Sequence, residues 1–109
     1  MICRMWRGWT TREKADAYDS YLKDDLFPRL ERELRERGYR GFHLLRVDRG
    51  GEVEFVTMLW FDSLENVKSF AGDNYSKPVI SDKARSLLSR CADYAEHYEL
   101  SGSKDCAKL

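Results

Sequence analysis

Proton transfer is the chemistry this sequence supports most directly. Its two histidines, His43 and His97, are of the residue type that most often serves as general base or acid. Each also has a plainer role open to it. His43 can be packed at a core or interface surface, and His97 can hydrogen-bond a neighbouring strand or loop. Neither stands at a metal-ligand spacing: His97 and Glu99 merely share a strand face, and Cys3, Cys91 and Cys106 form no paired motif, so no metal site is expected. Trp6, Trp9 and Trp60 can wall a pocket and offer an indole N–H, or can anchor a core or interface. Asn74 and Tyr75 fall in a loop where a lid over such a pocket would sit. Arg46 lies on an otherwise apolar strand face, where it can reach an anionic substrate or, the favoured reading, pair with Glu96 or Asp48.

These side chains need a scaffold, and the hydrophobic spacing supplies one. Ile2 to Trp9 is strand-like. Thr10-Thr11-Arg12-Glu13 has the S/T-x-x-E form of a capping box. Ala15, Tyr18, Leu22, Leu26, Leu30 and Leu34 then recur every three or four residues, the stripe of an amphipathic helix. Pro28 interrupts that stripe and predicts a kink or break near Phe27, and Gly38 closes it as a C′ residue. Asp62-Ser63-Leu64-Glu65 opens a short helix that ends at Gly72, and Ser81 or Asp82 caps another. Ala92 to Leu100 reads as a last strand.

Between the first two helices lie two strand-like runs, Tyr39 to Asp48 and Glu52 to Phe61, joined at Gly50-Gly51, a two-residue hairpin signal. That turn fixes a register. Val47 opposes Glu54, Leu45 opposes Val56, His43 opposes Met58 and Gly41 opposes Trp60. On the other face Arg46 meets Phe55, Leu44 meets Thr57, Phe42 meets Leu59 and Arg40 meets Phe61. Gly41 leaves room for the Trp60 indole. Both faces are largely apolar, whereas a sheet with one wet side alternates polar residues onto it. Helices can cover one face; the same surface of a second copy is the economical cover for the other.

With 109 residues and 12.8 kDa, the chain is one domain over residues 1–100, with a flexible tail at 101–109. Nineteen basic and nineteen acidic residues cancel, which removes the charge excess that a nucleic-acid or polybasic membrane-surface partner requires. The longest apolar run, around Phe55 to Phe61, falls far short of a membrane span. The odd cysteine count and the absence of a secretory leader pattern give a reduced, cytoplasmic protein. The element order strand, helix, strand, strand, helix, strand is that of an α+β, ferredoxin-like split βαβ fold with a four-stranded antiparallel sheet.

Several segments together carry a family resemblance. They are Trp6-Arg7-Gly8-Trp9-Thr10, Gly38-Tyr39-Arg40-Gly41, Leu44-Leu45-Arg46, Trp60-Phe61-Asp62-Ser63-Leu64, Ser69-Phe70-Ala71-Gly72-Asp73 and His97-Tyr98-Glu99. Over residues 1–100 the chain resembles the antibiotic biosynthesis monooxygenase family of dimeric α/β-barrel proteins. The resemblance implies a homodimer whose two sheets close a barrel, with a pocket between each sheet and its own helices. It also implies an aromatic or polyketide-like small-molecule ligand and a cofactor-independent oxygenation in which the substrate supplies the electrons. In that setting His97 and His43 are the expected catalytic residues, and Trp60, Trp6, Asn74, Tyr75 and Arg46 the expected substrate contacts. A non-oxidative cyclase or isomerase, and a ligand-binding or stress-associated barrel without turnover, remain alternatives. The haem-degrading branch of the family uses an Asn on the first strand and a helical His. Neither is found at those places here, which disfavours haem degradation and leaves no cofactor expected.

Overall fold

In the computed structural model, which describes residues 1–104, the chain forms one antiparallel sheet with its helices on one face. Cys106 and the end of the expected tail lie outside the described residues. The strands are β1 (Ile2–Thr11), β2 (Tyr39–Asp48), β3 (Glu52–Phe61) and two short pieces, β4 (Arg90–Cys91) and β5 (Glu96–Glu99). The helices are α1 (Ala15–Tyr21), α2 (Phe27–Leu34), α3 (Leu64–Ala71) and α4 (Asp82–Leu87). The sheet order is β2-β3-β1-β4, with β5 also on β1. That is the split βαβ, ferredoxin-like arrangement.

The hairpin register follows the turn. Every pair from Gly41–Trp60 to Val47–Glu54 stands as the Gly50-Gly51 turn dictates, and the Arg49 amide donates to the Glu52 carbonyl at 2.8 Å. The departure is at the far end, where Tyr39 rather than Arg40 opposes Phe61, leaving Arg40 in a bulge. Gly41 follows that bulge with φ +135°, and a Cβ there would meet nothing within 4 Å. The glycine is therefore required by backbone conformation and not by the bulk of Trp60.

The long amphipathic stripe forms a continuous helical run from Ala15 to Arg37, and Pro28 deforms it without breaking it. Leu22–Leu26 widens to a π-helix between α1 and α2, and the Phe27 amide reaches back to the Leu22 carbonyl. Pro28 lacks an N–H and crowds the carbonyl four residues earlier; widening the preceding turn relieves both problems. The capping box is displaced. Thr11, not Thr10, accepts the Lys14 amide at 3.3 Å, and Thr10 is fully buried with its hydroxyl unpartnered among the described residues. Ser63 and Ser81 cap α3 and α4, each accepting the amide three residues on. Gly38 closes the long run at φ +91°.

The last strand is discontinuous, where the sequence suggests one run from Ala92 to Leu100. Residues 92–95 leave the sheet between β4 and β5. The Trp6 indole donates to the Ala92 carbonyl at 2.9 Å, and the Ala95 amide to the Ser76 carbonyl at 2.7 Å. The strand opens because an indole on β1 and the loop after α3 both take up its backbone.

The core lies between sheet and helices. Tyr18 meets Phe55 edge-on with centroids 4.9 Å apart, and Phe27 stacks on Phe42 at 3.9 Å. Phe42, Leu44 and Arg46 thus face the helices. By the alternation of the pleat, His43, Leu45 and Val47 face away. With Trp60, Met58 and Tyr98 they form a face that no helix of the described residues covers, on which Leu45, Val47 and Tyr98 are exposed. Among the described residues no helix is long and apolar enough to cross a membrane.

Candidate functional site

A cavity of about 300 Å³ opens between the sheet and the helices. Trp6, Thr57 and Leu59 form its floor, and Leu22, Leu26 and Phe27 on the widened π turn form one wall. Phe70 on α3, the segment Pro78 to Ser81 and Ala84 on α4 form the other wall. Arg29, Glu33 and Val79, all with solvent-accessible side chains, mark its mouth. The volume is at the small end for a small-molecule site, and the mostly apolar lining with a few polar groups is what such sites share.

The polar groups have definite states. Ser81 is occupied as the α4 cap and by the Tyr21 hydroxyl at 2.6 Å. Burial pushes the Tyr18 phenol above its ordinary range, so it stays protonated and can donate. Arg4, at 4% exposure, is the buried cation of the site. One terminal nitrogen donates to the Tyr75 carbonyl and, at 3.0 Å, to His97 Nε2; the other donates to the Lys77 carbonyl at 3.1 Å. Its guanidinium carbon lies 5.6 Å from the Phe70 ring centroid. Burial lowers the Arg4 pKa to about 10, which leaves it charged at neutral pH.

His97 sits behind Arg4. Because arginine can only donate, His97 Nε2 accepts, and the imidazole is neutral with its proton on Nδ1. Burial, then the charge of Arg4, both lower its pKa. The Tyr75 ring meets it edge-on at 5.0 Å.

The other residues singled out from sequence separate. Trp6 lines the cavity. His97 and Tyr75 form the layer behind Arg4 and do not line the wall. Asn74 is exposed in the loop after α3, its carbonyl accepting the Lys77 amide at 3.1 Å. Trp60 and His43 lie on the uncovered sheet face, where the indole donates to His43 Nδ1 at 2.8 Å. Arg46 sits at the sheet edge over Phe55 and pairs with Asp16 and Asp19 at 3.2 and 3.1 Å, not with Glu96 or Asp48. Its strand faces the helices, so the acids of α1 are nearer. Among the described residues no group of three or more potential metal ligands is clustered.

Arg4 itself was not legible as a site residue. The helix-facing set of β1 is Ile2, Arg4, Trp6, Gly8 and Thr10, and the opposite set contains Arg7 at the same kind of position. Only the pairing of β1 with β3 decides which arginine is inside.

No protein-family model matches the sequence and no curated protein matches it. Among solved structures the fold resembles that of a proposed antibiotic biosynthesis monooxygenase from Bacillus cereus. The TM-score is 0.64 at 13% identity, over 99% of this chain and 98% of that one. At that identity the likeness establishes a shared architecture.

Proposed function

We propose that the chain binds an aromatic small molecule in the cavity between sheet and helices and oxygenates it without a cofactor, as a cytoplasmic homodimeric barrel. The observation that carries this reading is the apolar cavity with a buried cation on its wall, in a fold shared with a proposed monooxygenase. A carbon acid such as an anthrone loses a proton to a base; Glu33, the carboxylate on the lining, takes that role. The enolate then reduces dioxygen, the CH2 becomes a carbonyl, one oxygen atom enters the product and the other leaves as water. His97, neutral and bonded to Arg4, is a positioning residue, holding the guanidinium at the wall. The homodimer forms through the uncovered sheet face, which buries Leu45, Val47, Trp60 and Tyr98.

Dissolved-oxygen uptake with 1,8-dihydroxyanthrone tests the chemistry. One dioxygen consumed per anthraquinone formed, above the buffer rate and lost in Glu33→Gln, supports it. Uptake equal to buffer refutes it. The position of both histidines off the cavity wall supports a second reading, a barrel that binds its ligand without turnover. In that case the cavity binds the anthrone and oxygen uptake stays at the buffer rate.

A further inference from the structure

Most arginines of this protein that lie near the sheet have an acidic partner. Arg7, on the uncovered face of β1, meets Glu54 and Glu96 at 3.7 and 3.4 Å, Arg46 meets Asp16 and Asp19, and Arg90 meets Glu52. Arg4 is the exception. It is the deepest cation among the described residues, yet no carboxylate of those residues lies within 4 Å of it, and all the acceptors they offer it are neutral. A guanidinium has five N–H donors. Two carbonyls and one imidazole nitrogen take three of them. The Nε–H and one terminal N–H have no acceptor among the described residues, and the side chain forms part of the cavity wall. A buried charge is costly unless it is paired, and this one is held in place by a neutral histidine that cannot neutralise it.

We infer that the cavity takes an anionic aromatic ligand, a ring system bearing a carboxylate or comparable oxyanion, with Arg4 as its counter-ion. The inference rests on the cavity being the ligand site, and it is independent of whether oxygenation follows. The geometry suits it. The ring system lies against Trp6, Leu59, Phe27 and Phe70, and the acid reaches the free edge of the Arg4 fork, where a charged acceptor makes a shorter and stronger bond than a neutral one. Tyr75 and Lys77 lend only their carbonyls, so the recognition is set by Arg4 and not by the loop side chains.

The test compares two probes of one shape, 2-naphthoate and 2-naphthamide, by isothermal titration of the full chain. The naphthoate is expected to bind once per chain and at least about tenfold more tightly than the amide, a difference of about 1.4 kcal/mol. Arg4→Met should abolish that preference while still binding the amide, and Arg4→Lys should keep part of it. Equal affinity of the wild-type chain for the two probes overturns the inference and leaves the cavity reading standing, with Arg4 only a tie between sheet and loop. A preference that survives in Arg4→Met also overturns it. Binding of neither probe overturns the cavity reading and the inference together. The wild-type comparison decides the matter even if Arg4→Met fails to fold.

Discussion

Among the described residues two indole hydrogen bonds set a partly buried tryptophan apart from one on the outer sheet face. Trp6 Nε1 donates to the Ala92 carbonyl at 2.9 Å in a partly buried setting. Trp60 Nε1 donates to His43 Nδ1 at 2.8 Å on the uncovered sheet face. Trp6→Phe removes one bond worth about 1 kcal/mol net. It also removes roughly 40 Å² of buried apolar surface, about another 1 kcal/mol at ~25 cal/mol per Å². The sum is about 2 kcal/mol, enough to lower Tm by roughly 8 °C in a domain of this size. Because the Ala92 carbonyl anchors the break between β4 and β5, protection of the Ala92 and Ala95 amides from hydrogen exchange should fall as well. In a monomer Trp60→Phe should cost less than about 0.5 kcal/mol, since water replaces the lost partner. In the proposed homodimer the same change loosens the interface, and its cost appears as an unfolding midpoint that moves with protein concentration. Urea denaturation at two concentrations separates these outcomes. Trp6→Phe within about 0.5 kcal/mol of the parent refutes the reasoning. So does a Trp60→Phe cost equal to that of Trp6→Phe with a concentration-independent midpoint.

Thr10 is fully buried with an unpartnered hydroxyl, so Thr10→Val, nearly isosteric and equally suited to a strand, should stabilise the protein by about 1 kcal/mol; loss of stability in chemical denaturation would show that the hydroxyl has a partner. Gly41→Ala meets no atom yet should cost about 1 kcal/mol or more, because φ +135° disfavours any Cβ; a neutral result in the same assay would mean the bulge relaxes freely. His97 is neutral in the fold with its pKa lowered from 6.5, by burial first and Arg4 second, so the unfolded chain binds the extra proton. Stability is therefore full above the ordinary imidazole value and falls as pH drops below it toward the folded value. His97→Gln should flatten that part of the Tm-versus-pH profile, and an unchanged slope would place the titration elsewhere. Light scattering should give twice the chain mass at micromolar concentration, and a stable monomer would remove the barrel assembly.

Local rules carried much of the fold. The Gly50-Gly51 turn set the pairing of β2 with β3 from Gly41 to Val47, because a two-residue loop allows one register and side chains alternate strictly from it. Ser63, Ser81 and Gly38 marked helix ends because their caps are made within a few residues of chain. What failed was what depended on distant partners. Ala92 to Leu100 has the composition of a strand, and it breaks because Trp6 and Ser76, far away in sequence, take its backbone groups. Arg46 found Asp16 and Asp19 because α1 lies across its strand, which no local pattern specifies.

The histidines illustrate the same division at the site. Residue type alone made His43 and His97 candidates, and the tertiary structure placed one on the uncovered face and the other behind a buried arginine. Arg4 and Arg7 look alike in the sequence, three residues apart on one strand, and strand alternation sends them to opposite faces. Which face meets the helices depends on how β1 docks on β3, and that pairing is made across 41 to 59 residues of chain, from Thr11–Glu52 to Ile2–Phe61. The sequence alone determined most of the elements, the hairpin register from Gly41 to Val47 and the surplus of apolar surface, because turns, caps and side-chain alternation act over a few residues. The tertiary structure decided which cation is buried with no counter-charge from the described residues, because burial belongs to the assembled layers and not to any segment.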